Sequence, residues 1–324
     1  MKYYEGVGIG HQAVIDLGLI RPGMFFAHHD AQVMGVGGIG ALAIGTLPIW
    51  ELYTVGKTWL KVPETYQFNI SGRLPKATMA RDIMHMIVGE IGPDGAAYKI
   101  AEFSGPTVSE MGIDGRITMC NIINHAGAKT GIVNPDEKTY NYVKSVTSET
   151  FESVSSDLDA NYTKVFDFDV SKLEPYVVAP SELHNCKPLR EVENTRIDVG
   201  YIGSCAGGRL EDIRAAATIL KGQQVNQNVR LYVVPSSRRI MQIAGKEGLL
   251  QILIDAGANV FPPTCDFCAG ILGHLAPDET AITTGTLNLE GRMGSDKSLI
   301  YLANAFSVAC AAIEGKITNP QKYV

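Results

Sequence analysis

The sequence predicts an α/β protein, and three observations carry that expectation. Short apolar, β-rich runs alternate with helical patterns along most of the chain, the order expected of strands joined by crossover helices. In the C-terminal half each run ends in a turn signal of Gly, Pro or Ser, so single elements can be assigned. The length, 324 residues, suffices for two or three domains with sizeable cores.

The elements follow in order. The opening Met-Lys-Tyr-Tyr-Glu lacks the charged and apolar regions of a signal peptide. Residues 31–50 carry no charge and are about as long as the ~20 residues of a membrane span. Gly35, Gly37, Gly38, Gly40 and Gly45 fill that stretch and Pro48 interrupts its end, so it reads as a tight turn and a buried helix start, with no membrane role. Residues 145–159 are polar, and 171–196 are charged and proline-bearing. Both read as surface segments, the second as an inter-domain connection. Residues 197–203 read as a strand and 209–220 as a helix with Glu211 and Asp212 in its first turn. Residues 230–234 form a strand ended by Pro235, 246–256 a helix closed by Gly257, and 258–261 a short strand. No internal repeat or low-complexity tract interrupts this pattern.

The formal charge of −6, without a basic run or aromatic-interleaved patch, excludes a nucleic-acid surface. Six cysteines in a long chain without an export signal point to a reducing compartment, the cytoplasm, and to free thiols rather than disulfides. Cys205 falls in a strand-to-helix loop, and Cys265 and Cys268 form a C-x-x-C in a loop beyond another strand. Strand ends of open α/β sheets are where ligands bind. Three thiolates brought together there could hold an iron–sulfur cluster and leave one iron without a protein ligand. A zinc ribbon would want a second C-x-x-C. A thioredoxin-like pair would want a helix start, which Gly270 and Gly273 disfavour.

Longer motifs surround these cysteines. Residues 264–281 read T-C-D-F-C-A-G-I-L-G-H-L-A-P-D-E-T-A, residues 285–294 read G-T-L-N-L-E-G-R-M-G, and residues 301–317 read Y-L-A-N-A-F-S-V-A-C-A-A-I-E-G-K-I. Together they resemble the cluster-binding end of the aconitase superfamily, closest to the 3-isopropylmalate dehydratase large subunits. I-G-S-C-A-G-G-R-L-E-D-I-R-A-A-A (202–217) resembles that family's G-S-C-T-N-G-R-x-E-D. I-T-M-C-N-I-I-N-H-A-G-A-K-T-G (117–131) and G-V-G-I-G-H-Q (6–12) extend the match, in the family's order, over nearly the whole chain.

The resemblance implies an aconitase-like three-domain arrangement of mixed sheets flanked by helices. The first domain, 1–62, would be truncated, with a second at 63–165 and a third, carrying the cysteines, at 166–324. It implies a [4Fe–4S] cluster held by Cys205, Cys265 and Cys268, and hydro-lyase chemistry on a hydroxy-carboxylic acid. His11 matches a family histidine that assists the leaving hydroxyl. Asp30 matches the aspartate of the family's D-S-H-T, and Asn121 an active-site asparagine near the cluster. Arg292 matches an arginine that grips substrate carboxylate through two parallel hydrogen bonds. The base in this family is a serine of a swivelling domain, often a separate small subunit, so such a subunit is the expected partner. Neither a nucleic acid nor a membrane is expected as one.

The sequence also departs from the family. Ala31-Gln32-Val33 replaces the S-H-T of D-S-H-T, and His125 stands in place of a glutamate. Ala206-Gly207 replaces T-N after the cluster cysteine, and Gly285-Thr286-Leu287-Asn288-Leu289 replaces S-N-R-N-F, exchanging a second arginine for leucine. The family's opening segment, with its Asp-His pair, has no counterpart ahead of Met1. These changes imply a substrate other than 3-isopropylmalate, smaller or less charged, with His28, His29 or His125 available to replace a lost acid. The alternative is a catalytically degenerate, cluster-binding or regulatory family member. A third reading is a zinc-binding or thiol-redox protein built on Cys265 and Cys268.

Overall fold

A computed structural model describes residues 3–45 and 47–324. They fall into two compact units, each interrupted in sequence. One comprises Val14–Leu74 and Glu90–Lys172. The other comprises Met1–Ala13, Pro75–Gly89 and Leu173–Val324.

In the Val14–Leu74 and Glu90–Lys172 unit, β1 (Phe25–Ala27) and β2 (Leu42–Ile44) pair in parallel, Phe25 opposite Leu42. β3 (Thr65–Ser71), β4 (Ile100–Ser104), β5 (Thr130–Val133) and β6 (Lys164–Asp169) form a parallel sheet in the order β5-β4-β3-β6. Tyr66 lies opposite both Ala101 and Lys164.

The charge-free glycine run packs within this unit. Residues Ala31–Ile39 form a 3₁₀ helix that lies directly on the α-helix Ile113–Ile122 and on β5. A Cβ on Gly37 would enter the Gly131 carbonyl, and one on Gly38 would enter the backbone at Ile117. Glycine therefore lets two backbones touch, and Val33, Val36, Ile39, Ile113 and Ile117 close the core around that contact. The expected helix start differs in place. The α-helix comes at Ile49–Val55, after β2, and none of its residues is buried. Among the described residues no helix is long and apolar enough to cross a membrane.

The second unit is built on a seven-stranded sheet. Its strands are β7 (Tyr176–Val178), β8 (Cys186–Pro188), β9 (Val199–Ile202), β10 (Arg230–Val233), β11 (Asn259–Val260), β12 (Thr280–Thr283) and β13 (Leu299–Ala303). The order is β11-β10-β9-β12-β13-β7-β8, parallel from β11 to β13 and antiparallel at β7 and β8. The segment expected as a connection, 171–196, thus supplies the two antiparallel strands that end the sheet, β7 and the edge strand β8. Strands of three residues are too short to show the apolar run by which a central strand is recognised.

β9 is buried throughout, as a central parallel strand must be. Its residues alternate between two cores. Ile202 joins Ile213, Ala216, Val308 and Ala312 of the helices Leu210–Leu220 and Ala305–Glu314. Val199 and Tyr201 join Phe267, Cys268, Leu275 and Met293 on the other side. An unexpected helix, Arg238–Lys246, precedes the one expected at 246–256, which lies at Leu249–Asp255 beyond Gly248 at φ +73°. Ser237 caps the first, its side chain accepting from the Ile240 N–H.

Sheet order reverses at β9. The chain leaves β9 towards β10 and β11, then returns to its other side as β12 and β13. In open parallel sheets the crevice beyond such a reversal is the usual ligand position.

Candidate functional site

Cys205 follows β9 directly, on a loop whose backbone is fixed from within and from outside. Ser204 sits at φ +76°, a left-handed conformation that turns the chain sharply. The Thr284 hydroxyl, just past β12, accepts from the Gly203 N–H at 2.9 Å and lies 2.9 Å from the Gly207 carbonyl. The Arg81 guanidinium enters from helix Ala80–Ile91. It donates to the carbonyls of Ala206 (3.1 Å), Thr284 (2.5 Å) and Gly285 (3.0 Å). The loops after β9 and β12 are therefore tied to one buried cation. Burial lowers the Arg81 pKa to about 10, opposed by the carboxylates of Asp212 and Asp82, so it stays charged at neutral pH.

Cys265 and Cys268 lie on a run of turns beyond β11, with no helix. Cys265 is exposed and Cys268 buried. The Arg292 Nη2 approaches the Cys268 Sγ at 3.5 Å, and the Thr286 hydroxyl stands 3.8 Å from it. A hydrogen bond from the Cys265 thiol, and then the Arg292 guanidinium, hold the Cys268 thiol well below its usual pKa despite its burial. The same bond, with burial, pushes Cys265 up, and the charges of Cys268 and Cys205 add to the rise. The three motif cysteines thus share one electrostatic environment. Cys186 and Cys310, outside the motifs, are pushed up to about 12 by burial. Among the described residues no three His, Cys, Asp or Glu side chains form a site for a single metal ion.

The chain's opening residues reach the same end of this sheet. Ile9 N–H donates to the Ser236 carbonyl at 2.9 Å, Arg238 N–H to the Val7 carbonyl at 2.9 Å, and the Gln12 side chain accepts from Arg209 Nε at 3.2 Å. These contacts fix His11, which is half-buried, between the loop after β10 and the residues following the Cys205 loop. His11, the three cysteines and Arg292 belong to this unit; Asp30 and Asn121 belong to the other.

Asp30 is the N-cap of the Ala31–Ile39 3₁₀ helix, its Oδ1 accepting from the Gln32 N–H at 2.8 Å. Asn121, buried on helix Ile113–Ile122, donates through Nδ2 to the Gln32 carbonyl at 3.0 Å. Both matched residues thus also hold the chain at Gln32. His28 accepts the Asp30 N–H on Nδ1 at 3.0 Å. Burial first and the neighbouring His29 second lower its pKa, so it is neutral at pH 7. His125 is buried, and His29 stacks on His28.

Sequence reasoning missed Arg81, Thr284 and Tyr201. An arginine beside an aspartate in the first turn of a helix whose following residues are mostly apolar was the available signal for Arg81. A phenol in the apolar run of β9 was the signal for Tyr201.

Comparison with known proteins identifies the family. The profile of the Aconitase family (aconitate hydratase) matches residues 2–194 and 181–315. The chain belongs to the aconitase family. This aconitase-family chain is 42% identical to the 3-isopropylmalate dehydratase large subunit 1 of Methanopyrus kandleri, over 98% of its own length and 77% of the relative's. It is 40% identical to the probable methanogen homoaconitase large subunit of Methanosarcina mazei, over 99% and 82%. Among solved structures, Thermococcus kodakaraensis aconitase X is similar, with a TM-score of 0.48, 14% identity and coverage of 83% of this chain and 63% of the other.

Proposed function

We propose that this aconitase-family chain is the large subunit of a [4Fe–4S]-dependent hydro-lyase for a small hydroxy-carboxylic acid. Cys205, Cys265 and Cys268 would hold the cluster. The observation that carries this reading is the placement of all three on loops of the seven-stranded sheet, Cys205 beyond β9 and Cys265 and Cys268 beyond β11, with the Arg292 Nη2 3.5 Å from the Cys268 Sγ. The donor set fits the group. Thiolates are the ligands of such clusters, and Cys268 is biased to the thiolate first by Cys265 and then by Arg292. When bound, the cluster supplies Lewis acidity at an iron that carries no cysteine.

The chain's own residues then have separable tasks. Arg292 has the planar fork that grips a carboxylate, and its place against Cys268 brings that carboxylate beside the sulfur ligands. His11 would hand a proton to the departing hydroxyl. Asp30 and Asn121 would order the backbone at Gln32. Leu287, standing where the family pattern has arginine, removes one carboxylate contact and favours a less charged substrate than 3-isopropylmalate. The base that removes the carbon-bound proton would come from a small swivel-domain subunit, consistent with the relatives being named large subunits. A reducing compartment such as the cytoplasm suits the free thiols. The alternative, a cluster-binding chain without turnover, is favoured by the same Leu287 and by the capping role of Asp30.

Anaerobic reconstitution with iron and sulfide tests the reading. Brown protein with four irons and four sulfides per chain is expected. A colourless protein that binds one zinc ion instead overturns it. Addition of the small subunit and a screen of malate-type acids, followed by the ultraviolet absorbance of the unsaturated product, then separates the two alternatives. Turnover supports the hydro-lyase, and an intact cluster without turnover supports the degenerate form.

A further inference from the structure

The phenol of Tyr201 is a buried polar group that the proposed chemistry does not use. Tyr201 lies in β9, four residues before Cys205, with no measurable exposure. Its hydroxyl has no hydrogen-bond partner among the described residues. Leaving a buried hydroxyl without one is costly, and buried tyrosines ordinarily find an acceptor.

The ring has a defined direction. It stacks on Phe267, the residue between the two C-x-x-C cysteines, at a centroid distance of 5.8 Å and an interplanar angle of 20°. Its hydroxyl end runs beneath Gly203, where a Cβ would lie 2.5 Å from the Tyr201 oxygen. Glycine at 203 is what gives the phenol room. The hydroxyl is thereby carried to the root of the Cys205 loop and against the Cys265–Cys268 turn. Cys268, Cys265 and Cys205, in that order, are the charges it feels most.

We infer that Tyr201 donates its O–H to a sulfur of the cluster site, the acceptor that the described residues do not supply. The inference rests on the proposed cluster. Tyr201 is a positioning residue in this role, since it acts on a sulfur of the bound cluster and not on substrate. A hydrogen bond to a cluster sulfur stabilises the more negatively charged, reduced state, so the bond raises the reduction potential.

The test is a spectroscopic comparison of reconstituted wild-type protein with Tyr201→Phe, which keeps the ring and its packing. Iron and sulfide contents should be equal. The potential, followed by electron paramagnetic resonance during reductive titration, should shift downward in the variant. Iron–sulfur stretching bands in resonance Raman spectra of the wild type should move on transfer to D₂O, and that movement should diminish in Tyr201→Phe. Equal potentials and equal deuterium shifts, with the cluster present in both, overturn the inference and leave the proposed function standing. Wild-type protein that assembles no cluster overturns both. If Tyr201→Phe does not fold, the wild type decides alone: no deuterium shift in its Raman bands overturns the inference.

Discussion

At the scale of single residues, the cysteines differ in what surrounds their sulfur. Cys186 and Cys310 have thiols pushed up by burial, so they remain protonated and inert. Cys268 is buried as well, yet Cys265 and Arg292 turn its preference towards the thiolate. Cys265→Ser should therefore abolish the visible absorbance and the bound iron after reconstitution, while Cys186→Ala should keep both. Iron analysis of the two variants side by side checks this, and equal iron in both would remove Cys265 from the ligand set. Arg292→Lys keeps the charge and loses the fork. Its iron content should match the wild type, while KM for the acid rises about tenfold, the effect of losing roughly 1.5 kcal/mol of charge-assisted hydrogen bonding. Steady-state kinetics with the small subunit present gives the answer.

At the scale of elements, the segment from His28 to Ile39 shows how backbone contacts govern a loop. His28 accepts the Asp30 N–H, Asp30 caps the 3₁₀ helix, and Gly37 and Gly38 seat that helix on its neighbours. The neutral imidazole is part of this arrangement, because protonation at Nδ1 removes the acceptor. The folded pKa lies below the ordinary 6.5, so at pH above 6.5 both states are neutral and the stabilisation is complete. As pH falls below 6.5 the unfolded chain takes up a proton that the folded chain resists, and stability declines. Denaturation midpoints between pH 7.5 and 5.5 should fall for the wild type and fall less for His28→Gln. Parallel slopes would exclude His28 as the cause. Much of this element scale was legible in the sequence. The runs at 197–203 and 230–234 became β9 and β10 because buried parallel strands carry continuous apolar residues. The strands at Tyr176–Val178 and Cys186–Pro188 were not legible, since strands of three residues have no periodicity to detect. The helix Arg238–Lys246 was also hidden, because only Ile240 and Ala244 on it are buried and its charged start resembles a surface turn.

At the scale of the whole molecule, two adjacent residues join parts of the chain far apart in sequence. Pro75–Gly89 leaves the first unit's sequence to serve the second, and Arg81 and Asp82 open its helix. Arg81 donates to carbonyls at 206, 284 and 285, the loops beyond β9 and β12. Asp82 accepts from the Met79 N–H (2.7 Å), from the Tyr176 N–H at the start of β7 (2.8 Å) and from Asn304 Nδ2 at the cap of helix Ala305–Glu314 (2.7 Å). One residue thus serves acceptors around Cys205, and the next serves donors around the sheet's other strands. None of this could be read from spacing, because it depends on which loops the sheet order brings together. The two roles predict different failures. Arg81→Met leaves three buried carbonyls without their donor and should cost about 3–5 kcal/mol, as for removal of one partner from a buried ionic group. Because those carbonyls flank Cys205, the variant should also lose its cluster to a chelator faster than the wild type at temperatures where it remains folded. Asp82→Asn keeps an acceptor oxygen and leaves the cysteine loop untouched. It should lower stability while cluster loss, measured on folded protein, stays at the wild-type rate. Circular dichroism with bleaching of the visible absorbance under chelator separates the two effects. Equal bleaching rates in both variants would show that Arg81 supports the fold without holding the Cys205 loop.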